Sequence, residues 1–148
     1  MGLFSIFDIS SAGMSVEQSR LAVEASNIAN ARTTKTADGT VYRPLSVLVQ
    51  SSAPAGTFES AVLNAVDANA LPRPGVVGMA TSDAPPRLVY DPGHPDADER
   101  GFVAMPAIDP ITSMMDLIAI SRSYEANLRA FDITRNLIQR TIDMGRAR

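Results

Sequence analysis

The stretch "YDPGHPDADER", residues 90–100, holds the densest group of side chains that could carry chemistry. Carboxylates and a histidine lie close together in it, and such groups can ligate a divalent metal ion. The same stretch is rich in proline and glycine, where aspartate commonly serves turns, and its spacing does not fit an EF-hand loop. We therefore predict no metal site. We predict instead a rigid structural loop that includes Asp91, His94, Pro95, Asp96 and Asp98.

The rest of the composition excludes several other classes of function. With one histidine the chain cannot supply a His-Glu-x-x-His zinc site, and with no cysteine it cannot supply a thiolate nucleophile. No Ser-His-Asp arrangement is recognisable in it. It has no glycine-rich phosphate loop. The net charge of −3 argues against nucleic-acid binding, and no run approaches the roughly 18 to 20 apolar residues that span a bilayer. We expect no enzymatic activity, no cofactor and no small-molecule substrate.

The prolines indicate how the chain is organised. All ten of them lie between residues 44 and 110, and proline breaks helix interiors. Both ends are therefore free to be helical. We predict an α+β fold with an N-terminal helical segment (1–33), a β-rich and loop-rich insert (34–108) and a C-terminal helix (109–148).

The N-terminal helix is expected to start between Asp8 and Ser15, because Asp8 is a candidate cap and Ser15 with Gln18 fits a capping box. Apolar residues then follow at helical spacing. The predicted stripe consists of Met14, Leu21, Ala25 and Ile28.

The C-terminal helix has a clearer pattern. Asp109 before Pro110 predicts a capped start, Ser113 with Asp116 offers a second start, and Gly145 predicts a C-cap. Between them a heptad seam alternates at spacings of four and three, and it consists of Leu117, Ser121, Tyr124, Leu128, Phe131, Arg135, Ile138 and Ile142.

A narrow apolar stripe needs a partner, because an isolated helix is only marginally stable in water. The N-terminal helix can provide one, and the sequence leaves parallel and antiparallel pairing both open. Two interpretations of the stripes also remain open. They form either the core of a small helical domain or, in addition, contacts between subunits.

The insert is expected to contain short strands. Residues 40–50 are rich in β-branched side chains, although Pro44 places them at an edge or a bulge. The segments "GVVGMATS" and "RLVYD" form a plausible hairpin-like pair, and "GFVAM" (101–105) predicts a further strand. We expect residues 51–74 to be mostly loop.

Two asparagines near the end of the N-terminal helix are unusual, since asparagine is a poor residue for a helix interior. We expect Asn30 to lie at the helix C-terminus in the left-handed conformation. We expect Asn27 to donate and accept hydrogen bonds with a neighbouring helix or backbone. The alternative is that both are solvated cap residues.

Both terminal segments resemble those of the bacterial flagellar axial proteins, a family of rod, hook and hook-associated subunits. The resemblance rests on "SRLAVEASNIANARTT", which fits the pattern A-x-N-I-A-N-x-x-T, and on "SRSYEANLRAFDITRNLIQRTIDM". The "DPGHPDAD" element and the short length are similar to one member, a subunit of the proximal rod. One departure lies at residues 111–115, where "ITSMM" stands in place of the expected Asn-Val turn and acidic residue. The resemblance therefore gives no prediction for the local contacts of Met114 and Met115.

The resemblance implies that the two terminal helices pair as a coiled-coil-like inner domain and that subunits stack helically around the export channel. The implied partners are other rod subunits, further copies of the chain, membrane-ring and export-apparatus proteins, and the flagellar type III machinery. The implied location is the periplasmic rod, reached without cleavage of a signal peptide. The alternatives are another rod subunit and a small helical adaptor that binds a partner helix through its seam.

From these considerations we predict a set of residues at the helix seam and subunit interface: Met14, Leu21, Ala25, Asn27, Ile28, Asn30, Leu117, Tyr124, Asn127, Leu128, Phe131, Ile138 and Ile142.

Overall fold

The computed structural model describes residues 3–51 and 72–146. Within them the chain forms two long helices, α1 (Leu3–Ala29) and α2 (Pro110–Arg146). Four strands lie between the helices along the chain, and they are β1 (Leu45–Ser51), β2 (Pro74–Thr81), β3 (Arg87–Tyr90) and β4 (Phe102–Met105). The predicted α+β class is confirmed, since long terminal helices contact each other and small antiparallel sheets lie between them in the sequence.

The start of α1 differs from the prediction. The helix begins at Leu3 and not between Asp8 and Ser15, so neither of those residues caps it. Residues 3–12 contain no glycine or proline, and the helix therefore extends toward the N-terminus. Asp8 instead makes an ion pair with Arg73, at 3.1 Å between carboxylate and guanidinium.

Helix α2 begins where the sequence predicts. The Asp109 carboxylate accepts a hydrogen bond from the Ile111 backbone N–H at 3.2 Å and another from the Thr112 hydroxyl at 2.7 Å. These hydrogen bonds, that of Thr112 above all, hold the pKa of Asp109 below its usual value. The predicted C-cap at Gly145 is wrong, because the helix continues to Arg146 and Gly145 does not have a positive φ.

The strands pair differently from the predicted hairpin. β2 pairs with β1, and β3 pairs with β4, so the segments on either side of residues 83–86 are not hydrogen-bonded partners. The β3–β4 pair is antiparallel, with Leu88 opposite Ala104 and Tyr90 opposite Phe102. β1 starts directly after Pro44, whose carbonyl accepts a hydrogen bond from the Ser82 N–H at 2.7 Å. The predicted loop at 51–74 falls largely outside the described residues.

The chain divides into two compact units, one built from three segments and the other from two. The first comprises residues 1–19, 49–77 and 120–148, and the second comprises 20–48 and 78–119. Buried residues of the second unit include Val23, Ala31, Val103, Pro106 and Ile108. The division at 1–33, 34–108 and 109–148 remains a prediction.

Candidate assembly site

The two terminal helices pair antiparallel within the first unit. Three contacts set this direction, since a rising position in α1 meets a falling position in α2. The rings of Phe7 and Phe131 meet edge to face at 4.6 Å. Gly13 lies against Asn127, and the Ser123 hydroxyl donates to the Glu17 carboxylate at 3.2 Å. The choice that the sequence left open is therefore settled for this pair.

The buried side of α2 follows a heptad spacing of four and three, but not the predicted one. Half of the predicted seam belongs to the observed series. Its members are spaced seven residues apart, and they are Leu117, Tyr124, Phe131 and Ile138. The other half of the observed series lies one residue earlier than predicted. The buried or half-buried members are Ser113, Leu117, Ile120, Asn127, Phe131, Thr134 and Ile138, while Tyr124 is 37% exposed.

The reason for this shift is chemical. Half of the observed series contains Ser113, Asn127 and Thr134, which are polar and do not register in an apolar pattern. The predicted seam used Leu128 and Ile142 instead, and both are exposed. Leu128, Ile142 and Asn127 remain predicted subunit-interface residues, because burial within one chain does not test contacts between chains.

The predicted stripe on α1 is divided in the same way. Met14 and Ile28 are half-buried, whereas Leu21 and Ala25 are exposed. The buried positions of this helix include Ser10, Val16, Val23 and Asn27. The predicted stripe therefore misses the apolar Val16 and Val23 as well as the polar Ser10.

Asn27 joins the end of α1 to the start of β1 within the second unit. Its side-chain N–H donates to the Leu45 carbonyl at 2.8 Å, and its side-chain oxygen accepts from the Leu45 N–H at 2.9 Å. The same oxygen accepts from the Tyr42 hydroxyl at 3.1 Å, and the amide also contacts the Glu24 carboxylate at 3.4 Å. Asn27 is 5% exposed, so the solvated alternative does not describe it.

Asn30 caps the helix by a different means from the one predicted. No non-glycine residue in the described ranges has a positive φ, so Asn30 is not left-handed. Its side-chain N–H donates to the Ser26 carbonyl at 2.9 Å, and its side-chain oxygen accepts from the Thr33 hydroxyl at 3.2 Å. The Ser26 carbonyl also accepts from the Asn30 backbone N–H at 3.0 Å, so Asn30 closes the last turn of α1 with both its backbone and its side chain.

The loop between β3 and β4 uses its carboxylates to hold its own backbone. The Asp98 carboxylate accepts from the backbone N–H groups of Arg100 at 2.9 Å and Phe102 at 2.8 Å. The Asp91 carboxylate accepts from the Gly93 N–H at 3.3 Å. Pro95 is exposed. In the described part of the chain, no three acidic or histidine side chains come close enough to hold a metal ion.

Asp96 connects this loop to the segment that follows Asn30. Its carboxylate accepts from the Thr34 hydroxyl at 2.7 Å and pairs with the Lys35 ammonium at 2.6 Å. The hydrogen bonds from Lys35 and Thr34 lower the pKa of Asp96. His94 contributes from within the loop, where its Nδ1 accepts from the Asp96 N–H at 3.1 Å. The "DPGHPDAD" element therefore contacts the residues that directly follow the asparagine motif, within the second unit.

The sequence reasoning missed two further features. One is Gly13, where a Cβ atom would come within 2.9 Å of the Asn127 side chain. The sequence feature that could have indicated this contact is a glycine inside a helical pattern. The other is the set of exposed apolar residues that α2 carries outside the predicted seam. This set includes Ile111, Met115, Ile118, Ile133, Leu137 and Met144; Met114, whose contact the sequence left in doubt, is exposed as well.

These observations define a class of protein. Polar groups in the described loop and helix ends hold the backbone together rather than converge on a reacting centre, and apolar residues of a paired helix face outward. Within the described residues no helix is long and apolar enough to cross a bilayer. The fold and site are those of a structural protein with paired terminal helices.

Comparison with known proteins identifies the family. A model of the "Flagellar basal body rod FlgEFG protein C-terminal" family matches residues 99–144. The chain is 37% identical over 145 residues to the flagellar basal-body rod protein FlgC of Yersinia enterocolitica, with 98% of this chain and 99% of that protein covered. It is 34% identical to the FlgC of Escherichia coli O6:H1 at the same coverage. It is 32% identical over 153 residues to the FlgC of Bacillus subtilis, with 99% of this chain and 100% of that protein covered.

The chain therefore belongs to the FlgC family of flagellar basal-body rod proteins. It is a structural subunit of the rod and assembles with other flagellar rod proteins. The resemblance inferred from the sequence is confirmed, and the adaptor alternative is set aside.

Proposed function

We propose that this chain polymerises helically within the proximal rod, around the channel through which later flagellar subunits pass. Its direct partners are further copies of itself, neighbouring rod subunits and proteins of the membrane ring and export apparatus. It reaches the periplasmic rod through the flagellar type III route without cleavage of a signal peptide.

One observation above all supports polymerisation. α2 exposes apolar residues around much of its circumference, among them Ile118, Leu128, Ile133 and Leu137. A helix that is apolar on several sides is normally buried on several sides. One side of the helix contacts α1, and this exposure supports contacts of the other sides with neighbouring subunits.

The test is to delete the gene, isolate basal bodies and examine them by electron microscopy. We expect a membrane ring without a rod, and restoration of the rod when this chain is supplied in trans. Complete flagella in the deletion strain would contradict the proposal.

The export route has a separate test. We expect the chain to be recovered outside the cytoplasm at its full mass in a strain with an intact flagellar export apparatus. It should remain in the cytoplasm when that apparatus is inactivated. A shortened N-terminus, determined by mass spectrometry of the exported chain, would overturn the uncleaved route.

A further inference from the structure

The segment between α1 and β1 contains the only Asp-Gly pair in the sequence, Asp38 followed by Gly39. Both residues are exposed and lie in a turn. The backbone of Gly39 has a φ of 75°, and a Cβ atom added there would meet nothing within 4 Å. The turn therefore leaves room at Gly39 for a new covalent group.

The Asp38 carboxylate differs from those of the other aspartates in loops and turns. Each of the other aspartates that the structure describes outside α1 and α2 binds a neighbouring donor. These residues are Asp83, Asp91, Asp96, Asp98 and Asp109. Among the described residues Asp38 has no such partner, so its side chain can rotate toward the backbone that follows it.

This arrangement permits one covalent reaction. The backbone nitrogen of Gly39 attacks the side-chain carboxyl carbon of Asp38, and a C–N bond forms. The hydroxyl of the protonated carboxyl group leaves with the amide proton as water, and the product is a succinimide ring. Water then opens the ring at one of its two carbonyl groups. The product is either aspartate again or isoaspartate, and the net reaction consumes no other reactant.

Glycine after the aspartate favours this attack, because it has no Cβ atom to obstruct the nitrogen and its backbone is conformationally permissive. The N–H of Gly39 donates to the Thr36 carbonyl at 2.9 Å, so this hydrogen bond must open before the nitrogen can react. Opening is local, and exposed loops open at a small free-energy cost compared with core elements. The turn therefore sets the rate of the reaction.

We propose that Asp38 is a site of spontaneous isomerisation to isoaspartate. Isoaspartate routes the main chain through the side-chain carbonyl and so lengthens it by one carbon atom. In the unmodified turn the Thr36 N–H donates to the Thr40 carbonyl at 2.8 Å, and the Thr36 hydroxyl donates to the same carbonyl at 3.0 Å. The added carbon atom lies between these two residues and changes the length of the closed turn.

The modified bond lies between two points at which this segment is attached within the second unit. Before it, the Lys35 ammonium pairs with Asp96 at 2.6 Å. After it, the Tyr42 hydroxyl donates to Asn27 at 3.1 Å. Isomerisation therefore alters the main chain that joins the two attachments.

The test incubates the purified, folded, full-length chain in mildly acidic buffer at growth temperature. Transfer of labelled methyl groups by an isoaspartyl methyltransferase measures total isoaspartate. Digestion with a protease that cuts before aspartate but not before isoaspartate, followed by mass spectrometry, locates it. Asp38→Glu is the matched control, because it keeps the carboxylate and Gly39 but would require a larger ring. Asp83 is the comparison within the chain, since it is exposed and precedes Ala84.

We expect isoaspartate to accumulate at position 38 and to exceed that at position 83 several-fold. A species lighter by one water, the succinimide, should precede it. Asp38→Glu should lose the signal at this site, and Gly39→Ala should reduce it several-fold.

Two results would overturn the proposal. One is a folded chain that forms no isoaspartate at position 38 while the same chain in urea does, because the turn would then prevent the reaction. The other is equal accumulation at positions 38 and 83, which would leave Gly39 without a role.

Discussion

Asn27 shows how a single side chain can join a helix to a strand. A primary amide carries both donors and an acceptor, and here those groups meet the Leu45 N–H, the Leu45 carbonyl and the Tyr42 hydroxyl. Asn27 of the motif therefore makes its hydrogen bonds within the subunit, and its side chain is only 5% exposed. Whether it also affects contacts between subunits stays a prediction.

Replacing Asn27 with leucine should destabilise the fold by roughly 1 to 3 kcal/mol, because the Leu45 backbone groups would lose their partners in a buried site. Urea unfolding followed by circular dichroism measures the change. Gln18→Leu is the control, since Gln18 is exposed on the same helix, and it should shift stability by no more than about 0.5 kcal/mol. Equal effects of the two substitutions would contradict a specific role for Asn27.

Comparing Gly101 with Gly39 separates the cost of backbone strain from the cost of steric contact by an added Cβ atom. Both have positive φ, at 81° and 75° respectively. A Cβ atom on Gly101 would lie 2.9 Å from the Tyr90 ring and 3.2 Å from Pro92, whereas a Cβ atom on Gly39 would meet nothing within 4 Å. The two glycines therefore share a backbone conformation and differ in their surroundings.

We expect Gly39→Ala to cost about 1 to 2 kcal/mol from the left-handed backbone alone. Gly101→Ala should cost about 1 to 3 kcal/mol more, because Tyr90 and Pro92 must also shift. Thermal unfolding of both variants provides the comparison. Matching losses would show that the loop absorbs the added methyl group without strain.

At the scale of elements, the α1–α2 pair is built on close approach rather than on a wide apolar face. Glycine inside a helix costs about 0.5 to 1 kcal/mol relative to alanine. The presence of glycine at position 13 is explained by the nearby Asn127 side chain, which a Cβ atom would approach within 2.9 Å. Ser10 and Thr134 are also buried, so the buried positions of both helices include small and polar residues.

A double-mutant cycle can isolate this contact. In an Asn127→Ala background, Gly13→Ala should stabilise the chain by about 1 kcal/mol through helix propensity. In the unmodified chain the gain should vanish or reverse, because the added methyl group meets the amide. Denaturant unfolding of the four chains gives the coupling free energy. A coupling of zero would mean that the helices adjust without cost.

The elements were predictable to different degrees, for physical reasons. Asp109 before Pro110 predicts the start of α2 because the cap is a local hydrogen-bond arrangement. The start of α1 is not predictable in the same way, since Asp8 is a good cap residue that instead pairs with Arg73, and Arg73 is remote in the sequence. Strand pairing also failed, because the partner of β2 is β1 and not the neighbouring β3.

The candidate site follows the same rule. Every seventh residue of the α2 seam is a large apolar side chain, so periodicity finds Leu117, Phe131 and Ile138. The other half of the seam requires knowledge of where α1 lies, because Asn127 and Thr134 are inward only through their tertiary neighbours. Asn27 was expected to bond a neighbouring helix or backbone, but nothing local identifies Leu45 as its partner.

At the scale of the whole molecule, the dominant feature is apolar surface that one chain does not cover. Exposed apolar side chains recur along α2 and also occur on β3, where Leu88 and Tyr90 are exposed. The net charge is only −3. Association of such a chain should therefore be driven mainly by apolar contact.

This balance predicts how association responds to salt. Ammonium sulfate should strengthen self-association of the purified chain, since excluded salts favour burial of apolar surface. Sodium chloride should have little effect on self-association, because it screens interactions between exposed charges and does not weaken apolar contacts. Light scattering at constant protein concentration measures both responses. Dissociation by sodium chloride would indicate that ion pairs hold the copies together.

The bond between Asn27 and Leu45 has a consequence for how the chain avoids unwanted association. A strand edge with free N–H and carbonyl groups is a template on which another chain can add a strand and begin to aggregate. At Leu45 both groups are occupied by a side chain from α1, so the helix end protects the first residue of β1 from such addition. A chain that must join its neighbours in one defined way benefits when an alternative route to β-aggregation is closed at that residue.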